Sequence, residues 1–129
     1  MFFFERVKAK VHTLPDLDLG KDKDGRPLLL SCHMLCRALG KVLGLKVFDG
    51  VYGVGCAHSW LMTPDKEFVI DPYPVAAIGG PIMVHAASPF FPGSTLYKQQ
   101  RHVKSINFTS PAFLRAVRLL VREMRRTDA

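Results

Sequence analysis

The chain has 129 residues, 48% of them apolar and 22% charged, enough to bury one hydrophobic core without metals or disulfides, so a single domain over 1–129 is expected. A formal charge of +7 favours anionic partners, but the positive residues run from the first segment to the last, so charge alone assigns no function. The apolar run Phe2 to Phe4 is too short for a signal-peptide core or a membrane span, and three cysteines, an odd number, point to free thiols; a soluble, cytoplasmic chain is expected.

From Phe4 to Val11 the apolar Val7, Ala9 and Val11 alternate with Arg6, Lys8 and Lys10, a period of two that predicts an edge strand with one wet face. Leu14 to Arg26 holds four aspartates and two glycines and reads as a polar loop turning at Asp24-Gly25. It is not a calcium loop. With Gly25 as the sixth residue, Gly20 and Ser31 fall first and twelfth, where carboxylates are required. Ser31 is the N-cap of a helix running to about Leu43, with Leu35, Leu39, Val42 and Leu43 on one side and Gly44 as its stop.

Strands are expected at Lys46 to Tyr52, Ala57 to Met62 and Glu67 to Ile70, joined by turns at Gly53-Val54-Gly55 and Thr63-Pro64-Asp65. Val75 to Gly93 reads as surface chain with one extended piece at Ile82 to His85, and Thr95 to Phe108 as a further strand. Ser110-Pro111 opens a last helix whose inner stripe is Phe113, Val117, Leu120 and Met124, with Arg115, Arg118, Arg122 and Arg125 on another face. A helix leading into an antiparallel meander gives an α+β fold, closed by a C-terminal amphipathic helix.

The chemistry centres on Cys32. A thiol attacks only as thiolate, and the first turn of a helix favours that form because its unpaired N–H groups and dipole stabilise negative charge. His58 on the second meander strand supplies an imidazole to take the thiol proton, and Asp71, at the end of the third, a carboxylate to orient the ring. A hairpin around Pro64 brings both to one end of the sheet, across which the Cys32 helix must pack.

The segment Leu30 to Pro74, with Ser31-Cys32 opening a helix, Gly44-Leu45-Lys46-Val47 leading into a strand, His58-Ser59-Trp60-Leu61, and Ile70-Asp71-Pro72-Tyr73-Pro74, resembles the transglutaminase-like superfamily of papain-like cysteine enzymes. The resemblance covers about a third of the chain and implies a minimal papain-like core with Cys32 as nucleophile, His58 as general base and Asp71 as its orienter. It implies an enzyme acting on amide or peptide bonds, with hydrolysis or deamidation ahead of transamidation, a peptide or protein substrate and no cofactor. His33 stands where the family often has Trp, and no Gln, Asn or Trp precedes Cys32, so the oxyanion is left to backbone N–H groups, with His12 or His33 as side-chain help.

Other residues have plainer roles. Trp60 and Tyr73 are expected to pack beside the cleft, and Cys36 inside the core. His33, adjacent to Cys32 on the helix, is expected to point away from it, at the surface or behind the cleft. His12, His85 and His102 have no partner signal, and the arginine stripe reads as a solvated face. Two rival readings stand: a Cys₃His zinc set from Cys32, Cys36, Cys56 and His58, and a non-catalytic module whose basic face binds nucleic acid or an acidic protein.

Overall fold

A computed structural model describes residues 2–12, 14, 17–53, 55–72, 81–86, 97–100 and 108–126. In chain order these form α1 (Phe2–Val11), α2 (Cys32–Leu43), β1 (Lys46–Tyr52), β2 (Cys56–Met62), β3 (Phe68–Asp71), β4 (Ile82–His85), β5 (Tyr97–Gln99) and α3 (Pro111–Arg126). The fold is α+β. β1 to β4 form an antiparallel meander and β5 adds beyond β1, for the order β4-β3-β2-β1-β5. Among the described residues, no helix is long and apolar enough to cross a membrane.

The first segment departs from expectation: Phe2–Val11 is a helix rather than a strand. Alternation would bury Ala9 and expose Lys10, whereas Ala9 is exposed and Lys10 is buried, its Nζ donating to the Met124 carbonyl at 2.6 Å. Val7 and Val11, one helical turn apart, are fully buried, with Phe3 and Phe4 packed against the same core. Contacts with α2 and α3 override the local period of two.

The α2 helix forms where its caps require. The Ser31 hydroxyl accepts from Met34 N–H at 3.3 Å, and Gly44 ends the helix at φ 70, its N–H returning to the Gly40 carbonyl. Its inner face buries Leu35, Cys36, Ala38 and Leu39 against Leu61 and Ile70 of the sheet and Leu120 and Met124 of α3. Each such leucine contributes about 1.5–3 kcal/mol relative to exposure.

Register then decides which residues share a face. Leu61 pairs with Ile70 and both face α2, so Ser59 points toward α2 with them, while His58, Trp60 and Asp71 lie on the opposite face. On that face, Phe48 pairs with Trp60 and Gly50 with His58. Gly50 also pairs with Gln99 of β5; a Cβ there would strike the Lys98 carbonyl oxygen and come within 2.8 Å of Gln99 Cα. The missing side chain lets β5 approach, and with it Tyr97. In the 17–30 segment, Lys21 bridges Pro27 around the Asp24-Gly25 turn, and Asp22 accepts from the Asp24 and Arg26 N–H groups, so this carboxylate serves the turn.

Candidate active site

Cys32 is the first residue of α2, 7% exposed, and its sulfur meets β2 at His58 and Ser59. Burial pushes the thiol up, but hydrogen bonds from the His33 and His58 side chains and the Ser59 backbone N–H, with the charge on His58, bring it down to about 6. The Nε2 of His58 lies 2.7 Å from Asp71 Oδ2, which leaves Nδ1 to face the sulfur. Burial pulls the His58 imidazolium down, and the bonds to Asp71 and Cys32 outweigh this, raising it from 6.5 to about 9. Between these values the stable pair is thiolate and imidazolium.

Asp71, 4% exposed, also accepts from the Tyr97 hydroxyl at 3.0 Å. Burial, the Asp71 charge and this bond push the Tyr97 phenol far up, so it remains a donor. Around His58 stand the rings of Tyr52 at 5.6 Å, Trp60 at 6.2 Å and Tyr97 at 6.2 Å. Trp60 thus occupies the expected place beside the site, 2% exposed, and with Phe48, Met62 and Tyr97 it borders a groove of 270 Å³ on the His58 face. Tyr73 lies outside the described residues.

Of the places expected for His33, the surface is not the one it takes: it lies inside, behind the cleft. It is 6% exposed, its Nδ1 lies 2.7 Å from Ser59 Oγ, and its side chain hydrogen-bonds the Cys32 sulfur. The Ser59 hydroxyl donates to Asp49 Oδ1 at 2.5 Å, and Arg37 grips both oxygens of Asp49 at 3.0 and 2.7 Å. Burial raises the Asp49 carboxyl, but Arg37 and Ser59 hold it below the usual carboxylate range. Arg37 also donates to the His33 carbonyl at 3.2 Å and lies 3.8 Å from the centre of the Phe108 ring. This partly buried polar cluster is hidden in the sequence because its members come from α2, β1 and β2. Its one local signal is Asp49, a lone carboxylate inside an apolar strand.

The zinc set does not assemble. Cys36 is fully buried in the core, where burial, then the Asp71 and Cys32 charges, push its thiol well up, whereas Cys56 is exposed where β2 begins. Among the described residues, no group of three or more His, Cys, Asp or Glu side chains is arranged to hold a metal. His12 is exposed at the end of α1, His85 lies 3.7 Å from Glu67 on β4, and His102 falls outside the described residues. Arg115, Arg118, Arg122 and Arg125 are exposed along α3, as the stripe predicts. No family model, curated protein or solved structure matches this chain.

Proposed function

We propose that this chain is a cysteine-nucleophile enzyme of the transglutaminase-like, papain-like kind, acting on amide or peptide bonds through Cys32, His58 and Asp71. The observation that carries this reading is the line from sulfur to imidazole to carboxylate, in which the thiol is lowered to about 6 and the imidazole raised to about 9. A core cysteine without a catalytic task has no use for a charged imidazole, and burial alone would keep it a thiol.

The Cys32 thiolate attacks the carbonyl carbon, forming the S–C bond as the C=O electron pair moves onto oxygen. Ser31 satisfies the Met34 and Leu35 N–H groups, leaving the Cys32 N–H at the helix start as a backbone donor for that oxyanion. His58 passes its Nδ1 proton to the leaving nitrogen, the C–N bond breaks, and an acyl group remains on sulfur. Neutral His58 then takes a proton from water, whose oxygen attacks the thioester, and the acid leaves as the thiolate and imidazolium reform. Asp71 holds the ring through Nε2 throughout, and Tyr97 holds Asp71. We take the substrate to be a peptide-like chain lying along the surface and the acyl acceptor to be water, which gives hydrolysis or deamidation rather than transamidation.

Intact-mass analysis after a p-nitrophenyl ester is added tests the first half of the cycle. Wild-type protein should release a burst of nitrophenol and carry one acyl group, mapping to Cys32, while Cys32→Ser and His58→Ala should not. Acylation spread over Cys32 and Cys56 alike, or absent, would remove the basis for an enzyme.

A further inference from the structure

We propose that Ser59, His33, Asp49 and Arg37 are positioning residues, a hydrogen-bonded clamp that fixes the first turn of α2 against β2 and so sets the spacing between Cys32 and His58. This rests on Cys32 being the nucleophile and His58 its base, and gives the polar cluster behind them a part in the reaction.

The clamp lies one peptide bond from each reacting residue. His33 follows Cys32 on α2, Ser59 follows His58 on β2, and their side chains meet at 2.7 Å between Nδ1 and Oγ. Ser59 is fully buried and gives its single hydrogen to Asp49 Oδ1 at 2.5 Å, so its oxygen accepts from His33 Nδ1–H. Asp49 is the cross-strand partner of Ser59, which brings β1 into the same set of bonds. Arg37, one turn along α2 from His33, closes the loop. Its guanidinium donates to both Asp49 oxygens at 3.0 and 2.7 Å and to the His33 carbonyl at 3.2 Å. Helix and hairpin are therefore tied twice, through His33 to β2 and through Arg37 to β1.

Stability alone does not account for such a cluster. Further along α2 the contact with the sheet is apolar, with Leu35 and Leu39 in one core with Leu61 and Ile70, and well-packed apolar side chains in place of a buried ion pair are often as stable or more so. What apolar contact lacks is direction, whereas a hydrogen bond weakens steeply once bent or stretched. The bonds of the clamp hold the helix to one register on the hairpin. Because His33 and Ser59 are each joined to a reacting residue, α2 cannot slip along β2 without stretching the bond between them. The reacting groups need that restraint, since a misplacement of about 1 Å can cost about 10²-fold in rate. Asp71 and Tyr97 fix the imidazole within the sheet; the clamp fixes the helix that carries the sulfur.

The test uses a Cys56→Ser parent, whose other remaining cysteine, Cys36, is fully buried, and reads the nitrophenol burst from a p-nitrophenyl ester and the pH midpoint of Cys32 alkylation by iodoacetamide. Ser59→Ala removes the hydroxyl between His33 and Asp49. It should slow the burst by about 10²-fold and move the midpoint up from about 6 by about 1 pH unit, as sulfur and imidazole lose their fixed spacing. Arg37→Lys keeps the charge but not the two-pronged grip, and should move both readouts the same way by less. Adding Arg37→Lys to Ser59→Ala should slow the burst little further, because both break one loop of bonds; effects that multiply would overturn the clamp as a unit. Variants that melt at lower temperature yet keep the parent's burst rate and midpoint would reduce the cluster to a structural role and overturn the proposal, with nucleophile and base intact. A parent that gives no burst and labels like an ordinary thiol overturns instead the enzyme reading beneath it. If Ser59→Ala does not fold, Arg37→Lys, at a side chain 23% exposed, decides by the same two readouts, and parent-like values overturn the clamp.

Discussion

Replacing Asp71 with Asn removes a negative charge 2.7 Å from His58 Nε2 while keeping the side chain's size at a position only 4% exposed. Burial favours neutral His58; the Asp71 bond first, and then Cys32, carry it from 6.5 to about 9. At 1.36 kcal/mol per pH unit, that rise is worth about 3 kcal/mol in favour of the imidazolium. The Asp71 bond is the first of the causes that raise His58, so its loss lowers His58 by about 1 pH unit, the size of one charge-assisted hydrogen bond, while Cys32 still titrates against an imidazolium and keeps its low midpoint. The assay is the ring-proton NMR titration of His58 across pH in a Cys56→Ser background. The His58 inflection should move down from about 9, and the midpoint of iodoacetamide labelling of Cys32 should stay near 6. Turnover of an amide substrate should fall by about 10²-fold, because the proton donor is less well held. A His58 titration that superimposes on the parent's would refute the reasoning, since it would mean that the carboxylate does not stabilise the imidazolium.

The pH–rate profile for kcat/KM on a peptide amide should be bell-shaped, rising through about 6 as Cys32 ionises and falling through about 9 as His58 loses the proton it must donate. A single limb would contradict the paired assignment. Gly50→Ala forces a Cβ into the backbone of Lys98 and Gln99, and should cost about 1–3 kcal/mol in urea unfolding as β5 is pushed from β1. Unchanged stability would show that the approach of β5 to β1 is not tight in solution. Ser31→Ala removes the acceptor for the Met34 N–H, and should lower stability by about 1 kcal/mol, seen as a drop of about 4 °C in Tm. A Tm equal to wild type would deny the cap any share in holding the helix that carries Cys32.

Much of the fold is legible because its signals are local. Ser31 and Gly44 bracket α2 as N-cap and left-handed stop, and Ser110-Pro111 opens α3 as the cap-then-proline rule requires. β1 spans Lys46–Tyr52 and β4 Ile82–His85, the ranges that alternation and turn residues predict. Of the longer strand expected from Thr95 to Phe108, the described residues show β5 at Tyr97–Gln99, and 95–96 and 101–107 lie outside them. The miss at Phe2–Val11 has the opposite cause. Three alternating pairs of residues carry little information, and the burial of Val7, Lys10 and Val11 is decided by α2 and α3.

For the candidate site, chain order and residue type alone nominate Cys32, His58 and Asp71, because the helix start, the strand and the strand end can each be read within a few residues. Which imidazole nitrogen faces sulfur, that His33 turns inward, and that Tyr97, Ser59, Asp49 and Arg37 brace the two rings all depend on contacts between distant segments. Periodicity says which face of an element is buried. Only packing says what it is buried against, and that is what moves a thiol below, and an imidazole above, its ordinary range.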